Sequence, residues 1–288
     1  MVNLTGQLKS EILVEALPYI RQFQGKRFVI KYGGSAMIND ELKMNFVKQI
    51  SLLKYVGIKP VIIHGGGMKI TEMEEKLGKK AQFVKGLRVT DKETMDLVKM
   101  VLIGLINKEI VALFRSIDED AVGISGKDGN LLYAEKIKMD DVDMGYIGEV
   151  KQVNSRLIEA LEEKDFIPVI APVAIGPDYE AYNINADLAA AGLAAGLHAE
   201  KLILLTDAPG VLKNKEDDTS IIPTINANQV NELIRTGTAD KGMIPKLTAS
   251  VNALKQGVKK VHILDGRVEN SIILEAFTDE GIGTEIVL

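Results

Sequence analysis

Phe28–Met37 reads FVIKYGGSAM. An apolar run ends in Lys31, and two glycines and a serine follow within four positions. A sheet ladder gains nothing from a charge there, but bare backbone amides beside a lysine suit a bound anion. KPVIIHGGG, residues 59–67, ends another β-branched run in three glycines. Between the two runs, NDELKMNFVKQISLLKYVG places Leu42, Phe46, Ile50 and Leu53 at helical spacing, with Gly57 set to stop the helix. MKITEMEEKLG continues as a second helix. Strand, helix, strand, helix with glycine at each strand exit is the pattern of a parallel sheet covered by helices, an α/β protein.

Further along, AVGISG, DFIPVIAPVAIG, KLILLTDAPGVL, KKVHILDG and GTEIVL read as buried strands. They alternate with helices NSRLIEALEEK, NADLAAAGLAAGL, ANQVNELIRTG, KGMIPKLTASVNALKQG and NSIILEAFT, while LLYAEKI and GYIGEVKQV read as hairpin strands. KNKEDDTS is the most loop-like stretch. Two helices stand apart. Residues 90–114, TDKETMDLVKMVLIGLINKEIVALF, open with a capping box from Thr90 to Glu93 and then carry more than one apolar face. Such a helix is expected to be buried on all sides, centrally or at a subunit interface. SEILVEALPYIRQF, residues 10–23, has an apolar stripe with Pro18 inside it, which predicts a kink.

The 288 residues contain no cysteine, which excludes disulfides, thiolate metal sites and cysteine nucleophiles and fits a reducing cytoplasm. A net charge of −5 with interspersed signs leaves no basic stripe for nucleic acid. The opening residues lack the basic and apolar regions of a secretory signal, and no run has the length of a membrane span.

GISGKDG lacks Walker spacing, and HGGGMKI has Ile70 where a dinucleotide fingerprint needs glycine. What remains is two glycine-rich strand exits, KYGGS and HGGG, at helix entrances where dipoles and free amides favour anions. Arg88 follows in GLRVTD. Asn183, Asn185 and Asp187 cluster at one helix start, where a cap accounts for only one of them. Lys246 opens a helix beside Pro245, where a cation opposes the dipole unless an anion is near.

KYGGSAM, VIIHGGG, GLRVTD, AVGISGKDGNLL, YNINADLAA, LTDAPGVL and KGMIPK, in this order, resemble the amino acid kinase family from Lys31 onward. HGGG with GLRVT and NINAD resembles most the members that act on N-acetyl-L-glutamate. The resemblance implies a three-layer αβα sandwich with a mainly parallel sheet, a lobe for the amino-acid substrate at 25–196 and an ATP lobe at 197–288. It implies transfer of phosphate from ATP with Mg²⁺ to the γ-carboxylate, with Lys31 and Lys246 stabilising the transition state and Asp187 positioning both. Gly33, Gly34 and Gly65 would bind phosphate, and Gly66, Gly67, Arg88 and Asn183 the substrate. Asp207, Ala208, Pro209, Gly210, Val211, Leu212, Asp240 and Lys241 would line the nucleotide pocket. Many relatives have two glycines where this chain has Lys241-Gly242. No protein metal ligands are expected.

For residues 1–24 the resemblance implies an oligomerisation helix that joins three dimers into a homo-hexamer, with the 90–114 helix building each dimer. An L-arginine effector site would use Tyr19, Lys213, His262, Glu275 and Gly283. Feedback inhibition by L-arginine would follow. Two alternatives stay open: a related kinase of glutamate, aspartate or carbamate, and a non-catalytic arginine sensor on the same fold.

Overall fold

The computed structural model describes residues 5–37, 39–139, 142–214, 216–239, 242–278 and 281–288. The chain begins with α1 (Gly6–Glu15) and α2 (Leu17–Phe23), which part at Ala16. Pro18 lies in the first turn of α2, where a missing N–H breaks no intrahelical bond, so the expected kink is a clean restart. Then come β1 (Arg27–Tyr32), a 3-10 turn at Gly34–Met37, α3 (Asp40–Tyr55), β2 (Lys59–His64) and α4 (Gly67–Lys76). A hairpin of β3 (Phe83–Val84) and β4 (Leu87–Arg88) leads to α5 (Lys92–Lys99), a π-helical stretch at Met100–Ile106 and α6 (Asn107–Arg115). β5 (Ala121–Ser125), β6 (Leu132–Lys136), β7 (Gly148–Val153), α7 (Arg156–Glu163), β8 (Ile167–Ala171), β9 (Val173–Ile175) and β10 (Ala181–Asn183) follow. The remainder is α8 (Ala186–Gly196), β11 (Lys201–Thr206), β12 (Thr224–Asn226), α9 (Ala227–Arg235), α10 (Met243–Lys255), β13 (Lys260–Asp265), α11 (Ser271–Phe277) and β14 (Thr284–Val287).

Eight strands form one sheet in the order β12-β14-β13-β11-β1-β2-β8-β5. From β5 to β13 every neighbouring pair is parallel; only β13 and β14 pair antiparallel. Its two faces carry two core clusters, one with α8 and α10, the other with α3, the α5–α6 helix and α11. These are the three layers. β1 sits in the middle, with β2 on one side and β11 on the other. That makes its carboxyl end a topological switch point, where an open α/β sheet leaves a crevice. The sheet runs unbroken across residues 196–197 through the β1–β11 pairing.

Three local expectations change. DFIPVIAPVAIG is not one strand: Pro172 ends β8, and β9 starts a separate four-stranded sheet with β10, β6 and β7. β6 and β7 pair antiparallel, as the hairpin reading expects. The cap of α5 is Asp91, whose carboxylate accepts from the Thr94 amide, and Thr90 has other work. The long helix is not buried on all sides within one chain, so of its two expected settings the central one falls away. Val101, Leu102 and Ile106 face the core, while Met100 is 63% exposed and Leu105 36%.

Candidate active site

Lys31 owes its place to strand alternation. Phe28, Ile30 and Tyr32 belong to the core cluster shared with α3, and Val29 to the cluster shared with α8. Lys31 therefore turns toward α8, with 7% of its surface exposed. α8 starts at Asn185, whose side-chain oxygen accepts from the amides of Asp187 and Leu188. The cap positions Asp187 in the first turn, where the helix dipole favours its charge. α10 packs against the alanine-rich α8, in which Ala190, Ala191 and Ala194 are buried, and so brings its own start close.

These placements converge. Lys246 Nζ, from the first turns of α10, donates to Asp187 Oδ2 at 2.9 Å. Lys31 Nζ lies 3.4 Å from Asp187 Oδ1, an ion-pair distance that leaves this buried oxygen without a hydrogen bond. Burial alone would push the Asp187 carboxyl upward, but the two ammonium groups outweigh it and hold it below the ordinary carboxylate range. Two cations thus flank one anion at the edge of a cleft of about 1020 Å³.

The glycines shape the same cleft. Gly34 has φ +74°, and a Cβ there would stand 2.4 Å from Asp207 Oδ1. Only glycine lets the turn after β1 lie against the carboxylate after β11. The Gly65 amide already donates to the Tyr32 carbonyl at 2.7 Å, so it joins the two turns and is not free for a ligand. Gly66 caps α4, and the first intrahelical bond runs from the Ile70 amide to the Gly66 carbonyl. The amides from Gly66 to Lys69 therefore have no helical acceptor, and Gly66 and Gly67 line the cleft.

Arg88 and Asn183 line the same cleft from β4 and β10. Arg88 is buried and ion-paired with Glu74, and it also donates to the Gly67 carbonyl at 2.8 Å and to Thr71 Oγ1 at 2.7 Å. Its guanidinium carbon lies 4.7 Å from the centre of the exposed Phe83 ring. Burial lowers the Arg88 pKa, with Glu74 opposing. Asn183 donates to Thr90 Oγ1 at 3.2 Å, and Thr90 donates on to the Arg88 carbonyl at 2.9 Å. Of Asn183, Asn185 and Asp187, then, Asn185 is the cap and the other two face the site.

Lys31, Gly33, Gly34, Gly65, Gly66, Gly67, Arg88, Asn183, Asp187 and Asp207 share one cleft, and Lys246 joins through Asp187. Ala208, Pro209, Gly210, Val211 and Leu212 are not in its lining. The Val211 amide instead donates to Thr284 Oγ1, and Leu212 bridges to Ile221. Asp240 and Lys241 lie outside the described residues.

The expected effector residues divide. His262 Nδ1 and Glu275 Oε1 are 2.7 Å apart. Gly283 packs on the Ile263 carbonyl beside His262. Tyr19 is on α2, which touches α11, the helix of Glu275. Lys213, by contrast, is an exposed loop residue. The buried cation near His262 and Glu275 is Lys201, 5.0 Å from the Phe23 ring centre and 3.5 Å from the Glu275 carbonyl. Nothing in the sequence marks Lys201 beyond its place at the start of an apolar run. Glu74 and Asn107 are also invisible to motif reading, and the true partner of Thr90, read there as a cap, is hidden likewise, because these partners come from distant segments.

Orphan amides and two ammonium groups gathered by one carboxylate fit polyanionic phosphate. Among the described residues no three His, Asp or Glu side chains group as metal ligands. Asp187 and Asp207 are carboxylates of the cleft lining, a donor set that fits Mg²⁺ carried in on phosphate oxygens with several waters kept. Nor, among these residues, is any helix long and apolar enough to cross a membrane.

Residues 26–265 match the amino acid kinase family, and the chain belongs to it. The fold and the site thus define a phosphotransferase. Acetylglutamate kinase of Nitrosococcus oceani is 51% identical, over 96% of this chain and 95% of its own length. The acetylglutamate kinase of Moorella thermoacetica is 52% identical over 99% of both chains. Among solved structures, N-acetylglutamate synthase from Neisseria gonorrhoeae, complexed with coenzyme A and N-acetyl-glutamate, superposes with a TM-score of 0.86 at 28% identity. The match covers 97% of this chain but 63% of that one. Carbamate kinase from Giardia lamblia bound to AMP-PNP shares the fold, with a TM-score of 0.65 at 16% identity over 91% of this chain and 98% of that one.

Proposed function

We propose that the chain transfers the γ-phosphoryl group of ATP to the γ-carboxylate of N-acetyl-L-glutamate, giving N-acetyl-L-glutamyl 5-phosphate and ADP in arginine biosynthesis. The near-full-length similarity to acetylglutamate kinases supports the substrate. The observation that carries the chemistry is the pair Lys31 and Lys246 on either side of Asp187.

The acceptor carboxyl, with an ordinary pKa near ~4.3, is ionised at neutral pH and needs no general base. Its oxygen attacks the γ-phosphorus as the bond to the β–γ bridging oxygen breaks, and the electron pair leaves on ADP. No proton moves. The obstacle is repulsion between anions, so the work falls to alignment and to positive charge on the moving group. Lys31 and Lys246 supply that charge, and Asp187 keeps their ammonium groups together until phosphate competes for them. Amides of Gly34, Gly66 and Gly67 add neutral donors. Arg88 and Asn183 hold the acetylglutamate carboxylate and amide from the β4 and β10 side. Mg²⁺ arriving with ATP would supply further positive charge to the phosphates.

In this reading residues 25–196 hold the amino-acid substrate and 197–288 the nucleotide, meeting at the β1–β11 seam. Ala208–Leu212, beyond the cleft itself, belong to the nucleotide side, and Asp240 and Lys241 keep their expected nucleotide role. L-arginine binds as effector between α2, β13 and α11, with Tyr19, Lys213, His262, Glu275 and Gly283 as expected, Glu275 for its guanidinium, and Lys201 as a further buried cation for its carboxylate. Leu13 and Val14 are 72% and 69% exposed on α1, which supports its use in joining dimers into a hexamer. The outer face of the α5–α6 helix would build the dimer. A cytoplasmic location suits a chain without cysteine.

ADP release with N-acetylglutamate, glutamate, aspartate and carbamate, each with and without L-arginine, tests the proposal. Turnover confined to N-acetylglutamate and suppressed by arginine supports it. Preference for another acceptor overturns the substrate, and no turnover with any of them favours a non-catalytic sensor.

A further inference from the structure

β2 alternates as β1 does, and it sends His64 to the opposite face from Lys31. The side chain is fully buried beneath α6, and so is Asn107, the first residue of that helix. His64 Nδ1 is 2.8 Å from the Gly65 carbonyl oxygen, and its Nε2 is 3.2 Å from Asn107 Nδ2. A carbonyl can only accept, so Nδ1 carries the hydrogen. Nε2 then has the lone pair, and the Asn107 amide donates to it. Asn107 Nδ2 also reaches the Val169 carbonyl at 3.0 Å and the Ile124 carbonyl at 3.3 Å, which ties the ring to β8 and β5. Each donor meets an acceptor in one tautomer only.

The peptide between Gly65 and Gly66 is planar and trans, so its carbonyl and its N–H point in opposite directions. Glycine on both sides leaves that plane otherwise free to rotate. We propose that His64 and Asn107 are positioning residues: by holding the Gly65 carbonyl inward they aim the Gly66 N–H into the cleft at the transferring phosphoryl group. This rests on the phosphoryl transfer proposed above. Packing supports the aim from the other side, because a Cβ on Gly66 would stand 2.5 Å from Ile106 Cδ1 and Leu102 Cδ2 of the π-helical stretch. Burial lowers the His64 pKa to about 4, with the Gly65 bond opposing and Lys108 adding to the shift, so the ring stays neutral at working pH.

His64→Asn keeps an amide donor where Nδ1 stood; His64→Gln moves it out toward Nε2. With N-acetylglutamate and ATP, His64→Gln should lower kcat by about 10- to 100-fold with both KM values within about twofold, and His64→Asn should restore most of the loss. Nitrogen NMR of the wild type should show the Nδ1-protonated ring unchanged from about pH 8 to about pH 5. Equal kcat in both variants and the wild type, an equal loss in both, or a ring protonated on Nε2, overturns the clamp. A wild type inactive on N-acetylglutamate overturns the proposed function instead.

Discussion

Asp187 stands between two ammonium groups that would otherwise repel each other, and its own helix supplies its cap and dipole. Replacing it by asparagine removes the charge and keeps the shape. Asp187→Asn should cost about 2–3 kcal/mol in urea unfolding, less than the 3–5 of a sealed pair because the cleft hydrates Lys246. Lys31→Ala and Lys246→Ala should each lower kcat about 10²–10³-fold in the ADP-release assay, the loss typical of one transition-state donor. His64 gives a pH signature. Its folded pKa of about 4 lies below the ordinary His value, so the unfolded chain binds the extra proton. The stabilisation is complete above about pH 6.5 and is lost as pH falls toward 4, roughly 3 kcal/mol in all. Asp187, also depressed, adds a loss that begins only near the ordinary carboxylate value of about 3.9. Urea midpoints should therefore slope down below about pH 6.5 in the wild type and less steeply in His64→Asn, where His262, also lowered by burial, keeps part of the slope. Lys31, Asp187 and Lys246 were legible because charges in odd places, a strand end and a helix start, ask for a partner. His64 was in plain view beside the glycines, but its ring lies on the sheet face opposite Lys31, and sequence does not reveal which residue lies behind a strand.

At the scale of elements, periodicity located the helices and the parallel strands, because apolar spacing reports which face is buried. It missed where tertiary partners decide. Thr90 looked like a cap, yet Asn183 engages its hydroxyl and Asp91 caps the helix one residue later. The 90–114 helix was legible as apolar, but its π-helical middle was not, since an extra residue per turn leaves no compositional mark. The break at Pro172 was hidden by apolar residues on both sides. The kink before Pro18 was readable and separates a helix with no buried residues, α1, from α2, which buries Phe23. Deleting residues 1–15 should leave kcat within about twofold. On the proposed hexamer, light scattering should report dimers for the shortened chain and hexamers for the full one, and the proposed arginine inhibition should weaken. An unchanged mass would show that α1 does not join dimers.

For the whole molecule, one sheet with β1 at its centre explains why residues from both ends of the chain meet. The turns after β1 and β2 open at the switch point, the start of α8 faces them across the cleft, and the start of α10 is joined to it through Asp187. The parallel sheet was legible from strand and helix alternation. The strand order was not, because pairing β1 with β11 depends on contacts across most of the chain. The seam between the expected lobes is likewise a continuous ladder, so the lobes share a floor. The central claim is that this floor brings two ammonium groups onto one phosphoryl group moving to a carboxylate. Hydroxylamine captures an acyl phosphate as a hydroxamate, so the direct measurement is ATP-dependent hydroxamate formation from N-acetyl-L-glutamate by the wild type, Lys31→Ala and Lys246→Ala. The account predicts steady formation by the wild type and about 10²–10³-fold less by each variant. A wild type that forms none, or variants that match it, would contradict the account.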